Sequence, residues 1–192
     1  MVNEYDSQPP ACLLITGTVG AGKTSTAYAV GEELRRQGVP HAVIDLDELC
    51  RGWPSPPEDP FNSILGFTNL RSVSQNYLLA GARRLIMAGV VEGTEGVEEH
   101  TAAVGMSVTV CRLRVDLNLV RQRLVARHDP GPSLEWHLHR SGELDGVLDR
   151  QLMPDAILDV GDDSLESVAL RVLTAIGWES SPAVALRRPA PG

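Results

Sequence analysis

The chain has 192 residues, 43% of them hydrophobic and 22% charged, which suits one globular domain and leaves little room for a second. A net charge of −8 argues against nucleic acid or an anionic membrane as the main partner. No apolar run approaches the roughly 18 residues of a membrane span, and Met1–Pro10 lacks a basic, apolar leader, so a cytoplasmic protein is expected.

Polar Asn3–Pro10 and the Pro-, Ala- and Arg-rich Ser180–Gly192 read as disordered ends of a single domain over 11–179. Ala11–Thr16 reads as a buried strand entering a Gly-rich turn. Thr24–Gln37 reads as an amphipathic helix, with Ala27, Val30 and Leu34 on one face, stopped by Gly38 and Pro40. His41–Asp45 follows as a second strand. Arg51–Pro60 places four prolines around Trp53, a stiff loop. The spacing of Leu70, Val73, Tyr77 and Leu85 predicts a helix from Thr68 to Ala88, with short strands at Val90–Glu92 and Ser107–Leu113. Asp116 is expected to cap a helix through Leu117, Val120 and Leu124 to Arg127. The polar, His-rich segment His128–Arg150 is expected to contain a helix. Ala156–Asp159 reads as the last strand and Ser164–Ile176 as the last helix, capped by Ser164. This alternation predicts an α/β fold: a parallel five-stranded sheet covered by helices on both faces.

Two motifs carry chemistry. Gly17-Thr-Val-Gly-Ala-Gly-Lys-Thr24 matches the phosphate-binding P-loop (Walker A) pattern, between an expected strand and an expected helix. Its glycines let backbone N–H groups turn around a phosphate, and the helix N-terminus adds partial positive charge. Gly17, Thr18, Val19, Gly20, Ala21, Gly22, Lys23, Thr24 and Ser25 are therefore the expected nucleotide cradle. Lys23 is the single lysine beside 16 arginines. It is expected to reach the β- and γ-phosphates, and the Thr24 hydroxyl to complete a Mg²⁺ shell.

The second motif is Asp45-Leu-Asp47, at the carboxyl end of the second expected strand, where parallel sheets bind ligands. One carboxylate can hold a metal-bound water while the other orients and deprotonates an acceptor hydroxyl. Capping of a turn or of the following helix is the alternative for either acid. A guanine-reading Asn-Lys-x-Asp is excluded by the lone lysine, and the nearest approach to a Walker B acid is Val90-Val-Glu92. Cys12, Cys50 and Cys111 lie far apart, without the spacing of a disulfide or zinc framework.

On these residues the chain, from Ala11 to Trp178, resembles the P-loop small-molecule and nucleotide kinases, a set that includes shikimate, gluconate and adenylylsulfate kinases and chloramphenicol phosphotransferase. The resemblance implies a three-layer P-loop kinase fold and an ATP- and Mg²⁺-dependent transfer of phosphate to a small-molecule hydroxyl, by a monomer or homodimer. It implies Thr24 and Asp45 at the metal and Asp47 at the acceptor. Arg51 resembles the anion-binding arginine of adenylylsulfate kinase, one residue late. The segment from Leu119 to Arg127 resembles a lid-entry helix, with Arg123 stacking on adenine and Arg127 reaching the transferring phosphate. His128–Arg150 would then be the lid, and Arg140 a second lid cation.

His137 and His139, two apart, read as lid or surface residues and not as a metal pair. Glu92 stands where related kinases carry an acid or a glycine, and Glu95, Glu98 and Glu99 read as a solvated loop. Acceptor candidates are Arg51, Trp53, Phe61, Phe67, Asn69, Arg71 and Gln75. The lack of a dense basic cluster there favours a neutral acceptor such as a sugar, an antibiotic or a nucleoside. An adenylylsulfate kinase-like enzyme and a regulatory nucleotide-binding ATPase are the alternative readings.

Overall fold

The computed structural model describes residues 9–178, so the expected disordered ends at 1–8 and 179–192 lie outside the described residues. The sheet is built on strand β1 (Ala11–Gly17), buried from Cys12 onwards because helices cover both of its faces. Helix α1 (Lys23–Arg36) starts directly from the P-loop, and β2 (His41–Asp45) returns to the sheet. A four-residue turn of helix α2 (Leu46–Leu49) precedes α3 (Ser63–Leu79), β3 (Arg84–Ala88) and α4 (Gly93–Val104). The chain continues through β4 (Val108–Arg114), α5 (Leu117–Arg127), α6 (Pro132–Gln151), β5 (Ala156–Asp159) and α7 (Leu165–Ala175). All pairings are parallel, in the order β2-β3-β1-β4-β5.

The chain leaves β1 towards β3 and β2 on one side, then crosses to β4 and β5 on the other. This reversal opens a crevice at the carboxyl end of β1, where such sheets bind ligands. Alternation along the strands divides the core. Leu13, Ile15, Ile86 and Leu113 pack with α1, α5 and α7, while Cys12, Leu14, Met87 and Val110 pack with α3, α4 and α6. No helix of the described residues is long and apolar enough to cross a membrane.

Asp116 caps α5 by accepting the N–H groups of Asn118 and Leu119, and Ser164 caps α7 through Ser167, as their positions predict. Four expectations need correction. The helix expected from Thr68 to Ala88 is α3 followed by β3, and α3 begins five residues earlier, at Ser63. All five residues of β3 are buried, so the strand has no polar alternation, and a continuous apolar run reads equally as helix. Between them Gly81 takes a φ of 101°, a left-handed turn that ends the helix. Val90–Glu92 is the loop leaving β3, not a strand, and Val91 N–H donates to the Thr16 hydroxyl at 3.2 Å.

The acidic stretch read as a loop is α4, which buries His100, Ala103 and Val104; Gly93 and Gly96 had weakened its helical signal. The segment read as a polar lid is half core. Leu144, Leu148 and Leu152 are buried against the sheet, and only the first half of α6 overhangs the crevice. Replacing Leu148 by Ala should therefore cost about 2–5 kcal/mol of global stability, as for other large-to-small core changes. Urea unfolding followed by circular dichroism measures it. A loss within experimental error would show that α6 is a detachable lid along its whole length.

Candidate active site

The P-loop geometry follows from its glycines. Gly17, Gly20 and Gly22 have φ of 151°, 82° and 93°, which L side chains rarely adopt. At Gly17 a Cβ would also lie 2.6 Å from the Leu113 carbonyl, so the turn is held close to the neighbouring strand. Lys23 Nζ donates to the Thr18 carbonyl at 3.1 Å and curls across the mouth of the loop. Burial pushes the Lys23 ammonium below its ordinary pKa, and the charges of Asp47 and Asp45 pull only part of the way back.

Asp45 ends β2 and does two things. One carboxylate oxygen accepts the Thr24 hydroxyl at 3.0 Å, and the other accepts the Asp47 N–H at 3.0 Å and so caps α2. The capping expected of this acid is therefore present, and its second oxygen faces the P-loop threonine. Asp47 is exposed, and its carboxylate has no hydrogen-bond or ion-pair partner among the described residues. The Thr24 hydroxyl and Asp45 carboxylate offer adjacent hard oxygen donors. They fit an ion such as Mg²⁺, which keeps several waters and takes one or two protein ligands. Among the described residues no group of three or more acidic, His or Cys side chains gathers as a metal cage.

A cavity of about 1370 Å³ runs across the carboxyl ends of the strands. Of the predicted residues, Val19–Ser25, Asp45, Asp47, Arg51, Phe61, Phe67, Glu92, Arg123, Arg127, His137 and Arg140 line it. Arg123 donates to the Gly161 carbonyl at 2.6 Å, which fixes its guanidinium between α5 and the loop before α7. Arg127, one turn on, is exposed and makes no hydrogen bond or ion pair with the described residues. Arg140 bridges Glu92 at 2.6 Å and Glu143 at 3.0 Å. The Thr18 hydroxyl donates to the Ser141 carbonyl, so α6 is pinned to the P-loop beside that ion pair.

Other predicted residues lie elsewhere. Gly17 and Thr18 sit behind the cavity wall, with Thr18 buried. Trp53 is 94% exposed on the proline-rich loop and does not line the cavity. Arg71 is exposed and also outside it: Leu70 lines the cavity, and one residue on, a helix has turned by about 100°, which carries Arg71 off that face. Asn69 donates to the Leu49 carbonyl at 2.8 Å and ties α3 to α2, and Gln75 is exposed beyond the cavity. His139 is exposed and off the lining, while His137 stacks on His128 with ring centroids 4.3 Å apart.

Sequence reasoning missed His100, Leu144, Val160 and Asp163, all on the lining. His100 could have been found: with α4 drawn as a helix, His100, Ala103 and Val104 fall on one face.

No family model matches the chain. Solved structures do. The adenylylsulfate (APS) kinase of Mycobacterium tuberculosis, solved with AMPPNP and APS, is 24% identical over 88% of this chain and 99% of its own, with a TM-score of 0.61. The tunicamycin resistance protein of Deinococcus radiodurans is 22% identical over 88% and 96%, also at 0.61. The shikimate kinase of Acinetobacter baumannii, solved with shikimate, is 17% identical over 93% and 96%, at 0.56. The chain has the P-loop kinase fold. The crevice described above lies at the end of the sheet where the P-loop emerges.

The half-buried Lys23 carries a stability consequence. Its folded pKa lies below the unfolded value, so the cost of holding the ammonium is full below the folded pKa, falls as pH rises beyond it, and is gone above the unfolded pKa. At pH 7 and without nucleotide, the Lys23→Met protein should melt above the wild type, and the gap should narrow at alkaline pH. Differential scanning fluorimetry across pH 7–10.5 checks both statements. A variant that melts lower at pH 7 would contradict them.

Proposed function

We propose that the protein is an ATP- and Mg²⁺-dependent phosphotransferase acting on a hydroxyl of a small molecule. The observation that carries this reading is the arrangement at the end of β2: Asp45 tied to Thr24 at 3.0 Å, with the uncommitted Asp47 carboxylate on the wall of the same cavity. The P-loop N–H groups and Lys23 suit the phosphates, and Thr24 with Asp45 suits the metal. When bound, ATP and Mg²⁺ supply the phosphoryl group and neutralise its charge.

The chain's residues then divide the remaining work. Asp47 orients the acceptor hydroxyl and takes its proton as the acceptor oxygen bonds to the γ-phosphorus. The bond from that phosphorus to the bridging oxygen breaks, and ADP departs. Arg123 offers a flat guanidinium for a base to stack on, fixed by Gly161. Arg127 is an uncommitted cation for the transferring phosphate, and Arg140 a second cation that must loosen its hold on Glu92 to take part. The first half of α6 shields the crevice from water, which favours transfer over hydrolysis.

The acceptor end disfavours an APS-like substrate. Arg51, the residue that would mark an anion site, is exposed and paired with Glu48 at 3.1 Å. No comparable pairing restrains Asp47.

The test is ADP release across a panel of hydroxylated metabolites and antibiotics, with Lys23→Ala as the blank. Once an acceptor turns over, Asp47→Asn should lower kcat by about 10²–10⁴-fold, the usual contribution of a positioned general base. Full activity in that variant, or no compound that raises ADP release above the blank, would sink the proposal.

A further inference from the structure

One end of the cavity is built differently from the P-loop end. There Phe67 and Leu70 of α3, Leu144 from the middle of α6 and Phe61 of the loop before α3 form an apolar wall, and a side chamber of about 440 Å³ opens between α3 and α4. His100, only 7% exposed, lines both spaces. Its Nδ1 lies 2.6 Å from the Gly96 carbonyl one turn back, so Nδ1 carries the proton and donates. Nε2 is left as an acceptor, and no described residue partners it. The Phe67 ring meets the imidazole edge-on, with centroids 5.0 Å apart and planes at 75°, which fixes the ring's orientation. Burial lowers the His100 pKa, outweighing the Gly96 bond and the charge of Glu99, so the ring stays neutral at pH 7.

The charges at this end point the same way. Arg140 is committed to Glu92 and Glu143, and Arg51 to Glu48. Glu95 and Glu99 line the side chamber. An anionic acceptor would meet these carboxylates, and both arginines lining this end are ion-paired among the described residues. The His100 ring lines both spaces, and its Nε2 has no partner among the described residues, so it is an acceptor available to a ligand's polar hydrogen.

This inference rests on the phosphotransferase reading and adds the acceptor class. We propose that the acceptor is an uncharged hydroxylated molecule with an apolar face, that this face packs on Phe67, and that a second polar hydrogen of the molecule is held by His100 Nε2. His100 is then a specificity-determining residue, separate from Asp47 at the reacting hydroxyl.

The experiment uses the full-length protein with ATP and Mg²⁺ and two sets of probes. One set is uncharged: a nucleoside, an aryl glycoside and an aryl-substituted diol. The other is anionic: gluconate, shikimate and APS. ADP release above the Lys23→Ala blank is expected with the uncharged set alone. His100→Phe should raise the KM of the best acceptor about tenfold, the scale of one hydrogen bond to a neutral group, while the KM for ATP changes less than twofold. His100→Gln, which restores an acceptor oxygen, should recover part of the loss.

Melting curves establish that both variants fold. If neither does, imidazole ¹⁵N NMR of the wild type replaces them: the best uncharged probe should shift the His100 Nε2 resonance. Turnover best with the anionic set, an unchanged acceptor KM in His100→Phe, or an unmoved Nε2 signal overturns the assignment and leaves the phosphotransferase reading standing. Turnover with neither set overturns that reading, and this inference with it.

Discussion

The site depends on the burial of β1. From Cys12 to Gly17 every residue is buried, with β3 and β4 on its edges and helices on both faces. Such a strand can leave the sheet in only one direction, over the crevice between β3 and β4. Gly17 makes that exit possible, because a Cβ would strike the Leu113 carbonyl at 2.6 Å. From there the loop must close within a few residues to begin α1, and Gly20 and Gly22 take the left-handed φ values that the closure needs. The tight glycine-bearing turn thus follows from ending a central, fully buried strand at a helix N-terminus. The Thr24–Asp45 hydrogen bond extends the same logic to β2, because parallel pairing through β3 sets both strand ends at one level.

Helix α6 shows how one element serves stability and function together. Its second half is core, and buried Arg112 of β4, its side chain 3% exposed, clamps it by pairing with Asp145 at 3.0 Å and Asp149 at 2.7 Å. Its first half carries Arg140, Trp136 and His137 over the cavity. The helix is thus anchored at its carboxyl end, with its leading turns over the cavity. The contacts that hold those turns, Ser141 to Thr18 and Arg140 to Glu92, join the P-loop, the loop after β3 and α6 at one place.

Charge is distributed unevenly along the cavity. Near α5 the guanidinium of Arg127 has no partner among the described residues, which suits phosphate. Towards α3 and α4 the arginines are already paired, and the uncommitted polar groups are acceptors. An acidic protein with a net charge of −8 can hold a polyanion only through such a local field. Backbone N–H groups at a helix N-terminus are a source of such a field that adds no net charge.

Local sequence determined the P-loop, Asp45-Leu-Asp47, the caps at Asp116 and Ser164, and the alternation that makes the sheet parallel. Each rests on interactions within a few residues or on a period of apolar positions, so each is written in the chain. The α/β class and the start of the site followed from these. The acceptor end did not. Whether Arg84–Ala88 is helix or strand depends on being buried from both sides, and whether Glu95–His100 is loop or helix depends on α3 covering one face of it. Only packing placed His100 against Phe67, left Trp53 and Arg71 outside the cavity, and committed Arg140 to Glu92. Those contacts join residues far apart in sequence, and no local pattern encodes the free energy that chooses among them.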